Sequence, residues 1–487
     1  MSRYSCQTVD SQSVVSSQYR SYTPNSSYTI LRTKLLGSVL RVGPGTRSAL
    51  KQKQPMATVA NSSDMSTTST QPSMQTPSSA EGALDEVATI DDLIIKRSYD
   101  LDENDPPPSD IDEDDDSVPD DNASSVASEA MPDIVDDPGL DPPSEDHSVQ
   151  QLVAHTDPVF AIAVNPGTPD MLATGGGDEV GYVWRVPHEL PSYRLEGHTD
   201  TVSSLAFSSD GSMLASGSLD GSVRVWQASS GALITALEGP TQGINWVLWH
   251  ARGAVLLAGS EDATAWMWKL PEGSVMQIFS AHSASVSYGA FVNNGRSVLT
   301  ASEDGTVRVW NPRTGTVDHC LHSGPMHEPR PVTCLSAHAT QPIFLFGSDC
   351  GDLKLAHAEN GRLLATLPSH DASVEHCGFC DAFALAASCG MDGKLCIWDL
   401  GTFGLRHTCI HQAGVIELKW LKESPMILTC AISRDLRLWD ARSGECLQTM
   451  TGHHEAVLCL DIGYTAQGIY VVSGSDDKTA RVWQPRL

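Results

Sequence analysis

The sequence predicts an all-β protein: an eight-bladed β-propeller behind a disordered acidic N-terminal tail. Three observations predict it. A motif closes on Trp184, Trp226, Trp268, Trp310, Trp398, Trp439 and Trp483, with Ala356 in the place of one tryptophan. The first four copies lie 42 residues apart, and a fixed period in the range of roughly 20–50 residues marks a repeat architecture. Within a copy, as from Gly217 to Trp226, a tight turn leads into an alternating strand, which is hairpin patterning. One such unit cannot bury its own apolar face, so the copies must stack. Seven blades, with the irregular fifth copy as an insertion, is the alternative.

Residues 1–80 are rich in Ser, Thr and Gln, and set eight Lys or Arg against Asp10 and Asp64. An acid-poor, Ser- and Arg-rich start has the composition of a transit peptide. We read it instead as a disordered tail, or as an extension of the gene model with translation starting at Met56. Residues 81–150 change character: 24 Asp or Glu stand against Lys96 and Arg97. Like charges repel and little there can form a core, so 81–147 is expected to be disordered. Its apolar island, Val87 to Ile95, reads as a solvated transient helix or a docking peptide.

Residues 148–487 hold the repeats. Each should give four antiparallel strands, and the ring should close by pairing Val149–Val153 with Ala480–Gln484, because closure removes the free edges of an open sheet. Eleven of the twelve cysteines fall here, several among apolar strand residues (Cys396, Cys409, Cys459). That scatter is the usage of small reduced core residues rather than of a disulfide framework. Cys377 and Cys380 form the one CxxC, with no second pair at zinc-ribbon spacing. No metal, cofactor or membrane span is expected, since no apolar run approaches roughly 18 residues. Gly175-Gly176-Gly177 leads into a turn and not a helix, so it is no phosphate loop. No catalytic motif is recognised, and an enzyme is not expected. The net charge of −29 argues against direct nucleic-acid binding, which needs a positive stripe.

A repeat of this length, with Gly-His near its start and Trp near its end, resembles the WD-repeat family. The resemblance implies a buried hydrogen-bonded tetrad in each blade. The matching positions are His155, Thr174, Asp178 and Trp184; His198, Ser216, Asp220 and Trp226; His282, Thr300, Asp304 and Trp310; His370, Ser388, Asp392 and Trp398; and His453, Ser473, Asp477 and Trp483. These His–Asp pairs are therefore framework and not catalytic dyads. Three copies depart. The third has Pro240 for His and Ala258 for the hydroxyl; the fifth has Cys350 for Asp and Ala356 for Trp; the seventh keeps His411, Thr429 and Trp439 but has Ser433 for Asp. Blades three and five should then hold by apolar packing alone, and of the eight, blade five is the one expected to be missed or mobile.

In the same family the top face is formed by the residues three and five after the His, and by the residue before the turn Asp. Carried over, those positions include Glu261, Glu303, Asp349, Glu375 and Asp476, with Phe160, Leu219, Met391, Ile416, Ile432 and Leu458. None of the 24 is basic. An acidic rim around apolar patches suits a basic peptide with hydrophobic anchors.

Further stretches are similar to the angio-associated migratory cell protein family: Trp249-His250-Ala251-Arg252, Trp266-Met267-Trp268-Lys269, Leu405-Arg406-His407 with Cys409 and His411-Gln412, and Leu438 to Gly444. That family includes a fungal chaperone dedicated to one large-subunit ribosomal protein, and in animals it is linked to cell migration. The resemblance implies a cytoplasmic, and also nuclear, monomer that shields a basic client such as a newly made ribosomal protein in large-subunit assembly. Two alternatives stand beside it. One is a substrate receptor of a cullin-RING ubiquitin ligase, for which Trp439-Asp440-Ala441-Arg442 matches the WDxR box. The other is a signalling scaffold linked to cell migration.

Overall fold

The computed structural model describes residues 145–325, 328–368 and 370–486. The expectations for residues 1–80, and for 81–147 up to residue 144, lie outside the described residues. Eight four-stranded antiparallel sheets follow one another. In the first seven, spatial order is chain order, as expected when each sheet is one contiguous repeat. The first strand of each is innermost: Val159–Val164, Val202–Phe207, Ile244–Trp249, Val286–Val292, Val332–Ala337, Val374–Phe379, Val415–Trp420 and Val457–Thr465. Neighbouring innermost strands touch around the whole circle, the last against the first. No α-helix occurs among the described residues.

The eighth sheet closes the ring. Its outer strand is Gln150–Leu152, paired antiparallel with the last strand as Gln150↔Val482, Gln151↔Arg481 and Leu152↔Ala480. The ladder is shorter than the five residues expected, and Val153 is exposed. Ahead of it, the chain from 145 to 149 also binds this blade. The His147 N–H donates to Thr451 O at 2.8 Å and the Val149 N–H to Val482 O at 2.8 Å. Asp146 covers the guanidinium of Arg481, which is 1% exposed. Burial alone would raise the Asp146 carboxyl, but Ser148 and Arg481 hold it down at about 2.

The five tetrads form. In blade two, Trp226 Nε1 donates to Ser216 Oγ at 2.9 Å, Ser216 meets His198 Nε2 at 2.7 Å, and His198 Nδ1 meets Asp220 at 3.0 Å. In blade one, Trp184 Nε1 donates to Thr174 Oγ1 at 2.9 Å, Thr174 meets His155 Nε2 at 2.8 Å, and His155 Nδ1 meets Asp178 at 2.9 Å. Thr300 stands between Trp310 and His282 in blade four, Ser388 between Trp398 and His370 in blade six, and Ser473 between Trp483 and His453 in blade eight. Every link there, including those to Asp304, Asp392 and Asp477, lies between 2.7 and 3.1 Å. The five hydroxyl residues, Thr174, Ser216, Thr300, Ser388 and Ser473, have no exposed surface at all. They sit inside the blades and cannot touch a ligand.

Each tetrad Asp also accepts the N–H of the residue after the His, as Asp220 does from Thr199 at 3.0 Å. A buried imidazole, hydroxyl and indole are thus satisfied together, as burial requires. Burial would raise these carboxyls; their hydrogen bonds and the histidines more than offset it and hold all five below the usual range.

Blade five is a complete sheet and not an insertion. It has four strands, Val332–Ala337, Ile343–Ser348, Asp352–His357 and Leu363–Pro368. Phe344 lies opposite Ala356 in register and stacks with Phe346, so two phenyl rings fill the volume a tryptophan would take. Nor is packing its sole support. Arg330 pairs with Asp352 at 3.0 Å, and Lys354 Nζ donates to the carbonyls of His322 and Ser323. Blade three keeps half a tetrad. Asp262 accepts the Thr241 N–H at 2.7 Å and the Thr264 N–H at 3.0 Å, while Trp266 donates to Thr264 Oγ1 at 2.8 Å and stacks on Trp268. In blade seven the His411–Thr429–Trp439 chain survives at 3.2 and 3.1 Å, but His411 Nδ1 is left without a partner.

Candidate functional site: the top face

One backbone hydrogen bond builds this face in every blade. The residue before the turn Asp donates its N–H to the carbonyl of the residue three after the His. The eight pairs are Gly177 to Pro158, Leu219 to Thr201, Glu261 to Gly243, Glu303 to Ser285, Asp349 to Pro331, Met391 to Ser373, Ile432 to Gly414 and Asp476 to Ala456, at 2.9–3.2 Å. The family positions therefore do lie side by side. The tetrad residues take no part in this face: Thr174, Ser216, Thr300, Ser388 and Ser473 lie wholly beneath it in the blade cores.

The position five after the His behaves differently. In all eight innermost strands it is the residue at a register shift: Phe160, Ser203, Asn245, Ser287, Thr333, Glu375, Ile416 and Leu458. A bulge re-aims its side chain, here into the seam with the next blade. Ser287 donates to Val332 O at 2.7 Å, Asn245 to Val286 O at 3.2 Å, and Thr333 to Val374 O. Phe160, Glu375, Ile416 and Leu458 are accordingly buried, and Glu375 is only 1% exposed. They are packed away and form no exposed rim, Phe160 lying just under Gly177 of the top face. Asp349 is buried as well, and accepts from the Cys350 thiol at 3.2 Å. Burial and that carboxylate push the thiol up to about 11, so Cys350 is no reactive nucleophile.

What remains at the surface is divided by sector. Glu261 and Glu303, on blades three and four, stand close enough that burial and then the charges of Glu303 and Asp200 push the Glu261 carboxyl up. Asp200, in the loop after His198, lies outside the positions carried over from the family. Among the described residues none of these three acids forms a salt bridge. On blade eight, burial and then Glu455 and Asp477 push Asp476 up. Here bases intervene: Lys478 lies 3.7 Å from Asp157, and Arg434 donates to His454 O at 3.0 Å. Both residues follow the turn position, outside the 24 positions tallied from sequence. Met391 and Ile432 meet over Gly414, where an added Cβ would touch Met391 Sδ at 2.9 Å and Ile432 Cδ1 at 3.2 Å. The uncompensated charge thus belongs to blades two to four and an apolar patch to the seam of blades six and seven.

Arg442 of the WDxR sequence folds back on Asp440 at 3.2 Å. The eleven cysteines among the described residues are free, Cys377 and Cys380 included.

Comparison with known proteins sets these features among relatives. The family described as WD domain, G-beta repeat, matches residues 190–227, 231–269, 273–311, 361–399 and 444–484. An uncharacterized WD repeat-containing protein of Schizosaccharomyces pombe is 39% identical over 341 residues, 68% of this chain and 85% of its own. Human angio-associated migratory cell protein is 35% identical over 187 residues, 35% of this chain and 42% of its own. In fold, Saccharomyces cerevisiae Sqt1 superposes with a TM-score of 0.66 at 23% identity, over 70% of this chain and 100% of that one. Chaetomium thermophilum Sqt1, bound to the N-terminus of the ribosomal protein L10, gives 0.64 at 23% identity and the same coverage.

Proposed function

This chain belongs to the WD-repeat family, and from that premise we propose that it is a non-catalytic binding protein whose top face holds a basic client segment. The client class is a newly made ribosomal protein awaiting large-subunit assembly. The observation that carries the reading is the cluster of Asp200, Glu261 and Glu303, three acids on adjacent blades without a salt-bridge partner among the described residues. Burial, and after it the charges of Glu303 and Asp200, push the Glu261 carboxyl up. A cation placed among them relieves that repulsion, and converging like charges also speed its capture. Met391 and Ile432 offer an apolar anchor elsewhere on the face, which selects among basic peptides where charge alone discriminates poorly. That a protein of this fold, Chaetomium Sqt1, holds the N-terminus of a ribosomal protein supports the class of client.

The test is charge reversal at the surface acids, Glu261→Lys with Glu303→Lys; Glu375 is unsuitable because it is buried. A peptide from the N-terminus of ribosomal protein L10 should bind the parent protein, and added salt should weaken the binding, since exposed charges are screened beyond roughly 8 Å at physiological ionic strength. The doubly reversed protein should melt as before and lose the peptide. Unchanged affinity with unchanged salt dependence would move the site elsewhere.

A further inference from the structure

In each blade the residue before the turn Asp is hydrogen-bonded to the position three after the His, and in two blades that position is glycine: Gly243 in blade three and Gly414 in blade seven. The other six blades have Pro, Thr, Ser or Ala there. Neither glycine has a positive φ, so the backbone does not require it; what the missing Cβ permits is close approach. At position 243 a Cβ would lie 3.0 Å from Leu219 Cδ2 and 3.1 Å from Glu261 Oε2. An aliphatic side chain of blade two and a carboxylate of blade three thus converge over one glycine. At position 414 the converging side chains are Met391 of blade six and Ile432 of blade seven, at 2.9 and 3.2 Å.

The two pairs offer different chemistry. Leu219, Met391 and Ile432 are half-buried and Glu261 is exposed. A carboxylate beside an aliphatic side chain matches Lys or Arg, whose methylene stem is apolar and whose head is charged. Glu303 and Asp200 stand near enough to Glu261 to add to the attraction. The Met391–Ile432 pair is uncharged and suits an aliphatic side chain, with the flexible Met adapting to its shape. The two seams, between blades two and three and between blades six and seven, are four apart in a ring of eight. The pairs therefore face each other across the mouth of the channel. Packed sheets stand roughly 10 Å apart, which for eight innermost strands gives a circle about 80 Å round and about 25 Å across. An extended chain advances about 3.3 Å per residue, so about seven or eight residues separate two side chains that reach both pairs.

We propose that the top face reads its client at two points on opposite sides of the channel mouth. A Lys or Arg side chain lies at Leu219 and Glu261, and an aliphatic side chain, about seven or eight residues away along an extended segment, lies at Met391 and Ile432. This rests on the function proposed above and adds a spacing to it, since charge alone selects poorly among basic segments. A segment with the two side chains closer together leaves the aliphatic one over the open mouth, and a rigid segment with them farther apart carries it past the pair.

The experiment titrates the full chain, by calorimetry, with peptides in which a Lys-Arg head and a terminal leucine are joined by three, eight or twelve prolines, with the head at either end. Polyproline is a semi-rigid spacer of about 3.1 Å per residue. In one of the two directions the eight-proline peptide should bind roughly tenfold tighter than the shorter and longer ones, and than its own version ending in serine. Met391→Ser with Ile432→Ser should erase that advantage while the head still binds. Glu261→Gln should weaken all three lengths alike, roughly threefold or more. Melting curves show that each variant is folded; should the double serine variant not fold, the leucine and serine peptides on the parent protein decide alone. If Glu261→Lys with Glu303→Lys abolishes binding but neither spacer length nor the leucine matters, the two-point reading is overturned and the acidic site stands. If the doubly reversed protein keeps the peptides, or none binds the parent protein, both readings fall.

Discussion

Asp220→Ala tests the framework at its most connected atom pair. The Asp220 carboxylate accepts from His198 Nδ1 at 3.0 Å, the Thr199 N–H at 3.0 Å, the Ser222 N–H at 2.8 Å and Ser222 Oγ at 2.7 Å. Its side chain is 9% exposed and that of His198 1%. Truncation leaves two backbone donors without that acceptor, and His198 Nδ1 with only the longer contact to Ser222 Oγ at 3.2 Å. A buried donor left unpaired costs about 1–3 kcal/mol, and the two backbone groups near the surface can take up water, so the total should be about 3 kcal/mol. With an unfolding entropy of roughly 2.1 cal/mol/K per residue over roughly 340 residues, that lowers Tm by about 4 °C. Asp220→Asn keeps one carbonyl acceptor and should lose about half as much. Cys350→Ala, at the equivalent turn of a blade without a tetrad, should stay within about 0.5 kcal/mol. Calorimetry and urea midpoints at pH 7 decide it. Equal losses for Asp220→Ala and Cys350→Ala would refute the reasoning. The pH dependence adds a check. The Asp220 carboxyl is depressed in the fold, so its contribution is complete above the ordinary carboxylate pKa and fades as pH falls below about 4. The gap between parent and Asp220→Ala should narrow there.

Two further outcomes are expected. Blade seven has His411 Nδ1 unpartnered, and Ser433 bonds Asp435; Ser433→Asp should supply the missing acceptor but meets Asp435, so Tm should rise by no more than about 1 °C, whereas Asp435→Thr should lower it, because Asp435 also pairs with Arg437 at 2.6 Å. The second concerns acid stability: burial pushes His376 and His411 down to about 4, with Glu417 and Lys419 facing the first and Arg437 and Asp435 the second. Both stay neutral in the fold while the unfolded chain takes up protons below about 6.5, so what these two contribute should be full above that pH, and stability should fall by on the order of 3 kcal/mol between pH 6.5 and 4. Urea midpoints across that range check it, and His376→Phe should flatten the slope.

The tetrads are legible in the sequence because each needs four particular residue types at fixed separations, and no other chemistry explains Trp226, Asp220, Ser216 and His198 together. Thr and Ser alternate freely at the third position, as Thr174 and Thr300 against Ser388 and Ser473 show, because only the hydroxyl is used. The ring closure is legible because a repeat that ends in mid-blade must borrow a strand. Blade five departs from expectation because the tetrad is only one way to fill a blade core: Phe344 opposite Ala356 does it with no recurring signature. The top face is legible in its turn positions, which a backbone bond holds in every blade, and misleading at the bulge. That site accepts Phe, Ser, Asn, Thr, Glu, Ile or Leu, so residue type does not reveal that it points into a seam. Glu375 therefore reads as a rim acid although it is buried.

The pairing of Gln150–Leu152 with Ala480–Val482 has a consequence for the order of synthesis. A ribosome delivers the outer edge of the last blade before the seven other blades and its pairing partner, Ala480–Trp483, roughly 330 residues later, so this one sheet cannot assemble until that strand has emerged. Until then the seven finished blades form an open arc whose two ends leave uncovered the faces that blade eight packs against, among them Leu172 and Trp184 of blade one. Selection on the codons for Ala480–Trp483 should therefore be as strict as on any core position: a nonsense change just before Ala480 spares seven blades, yet leaves the whole arc without its clasp.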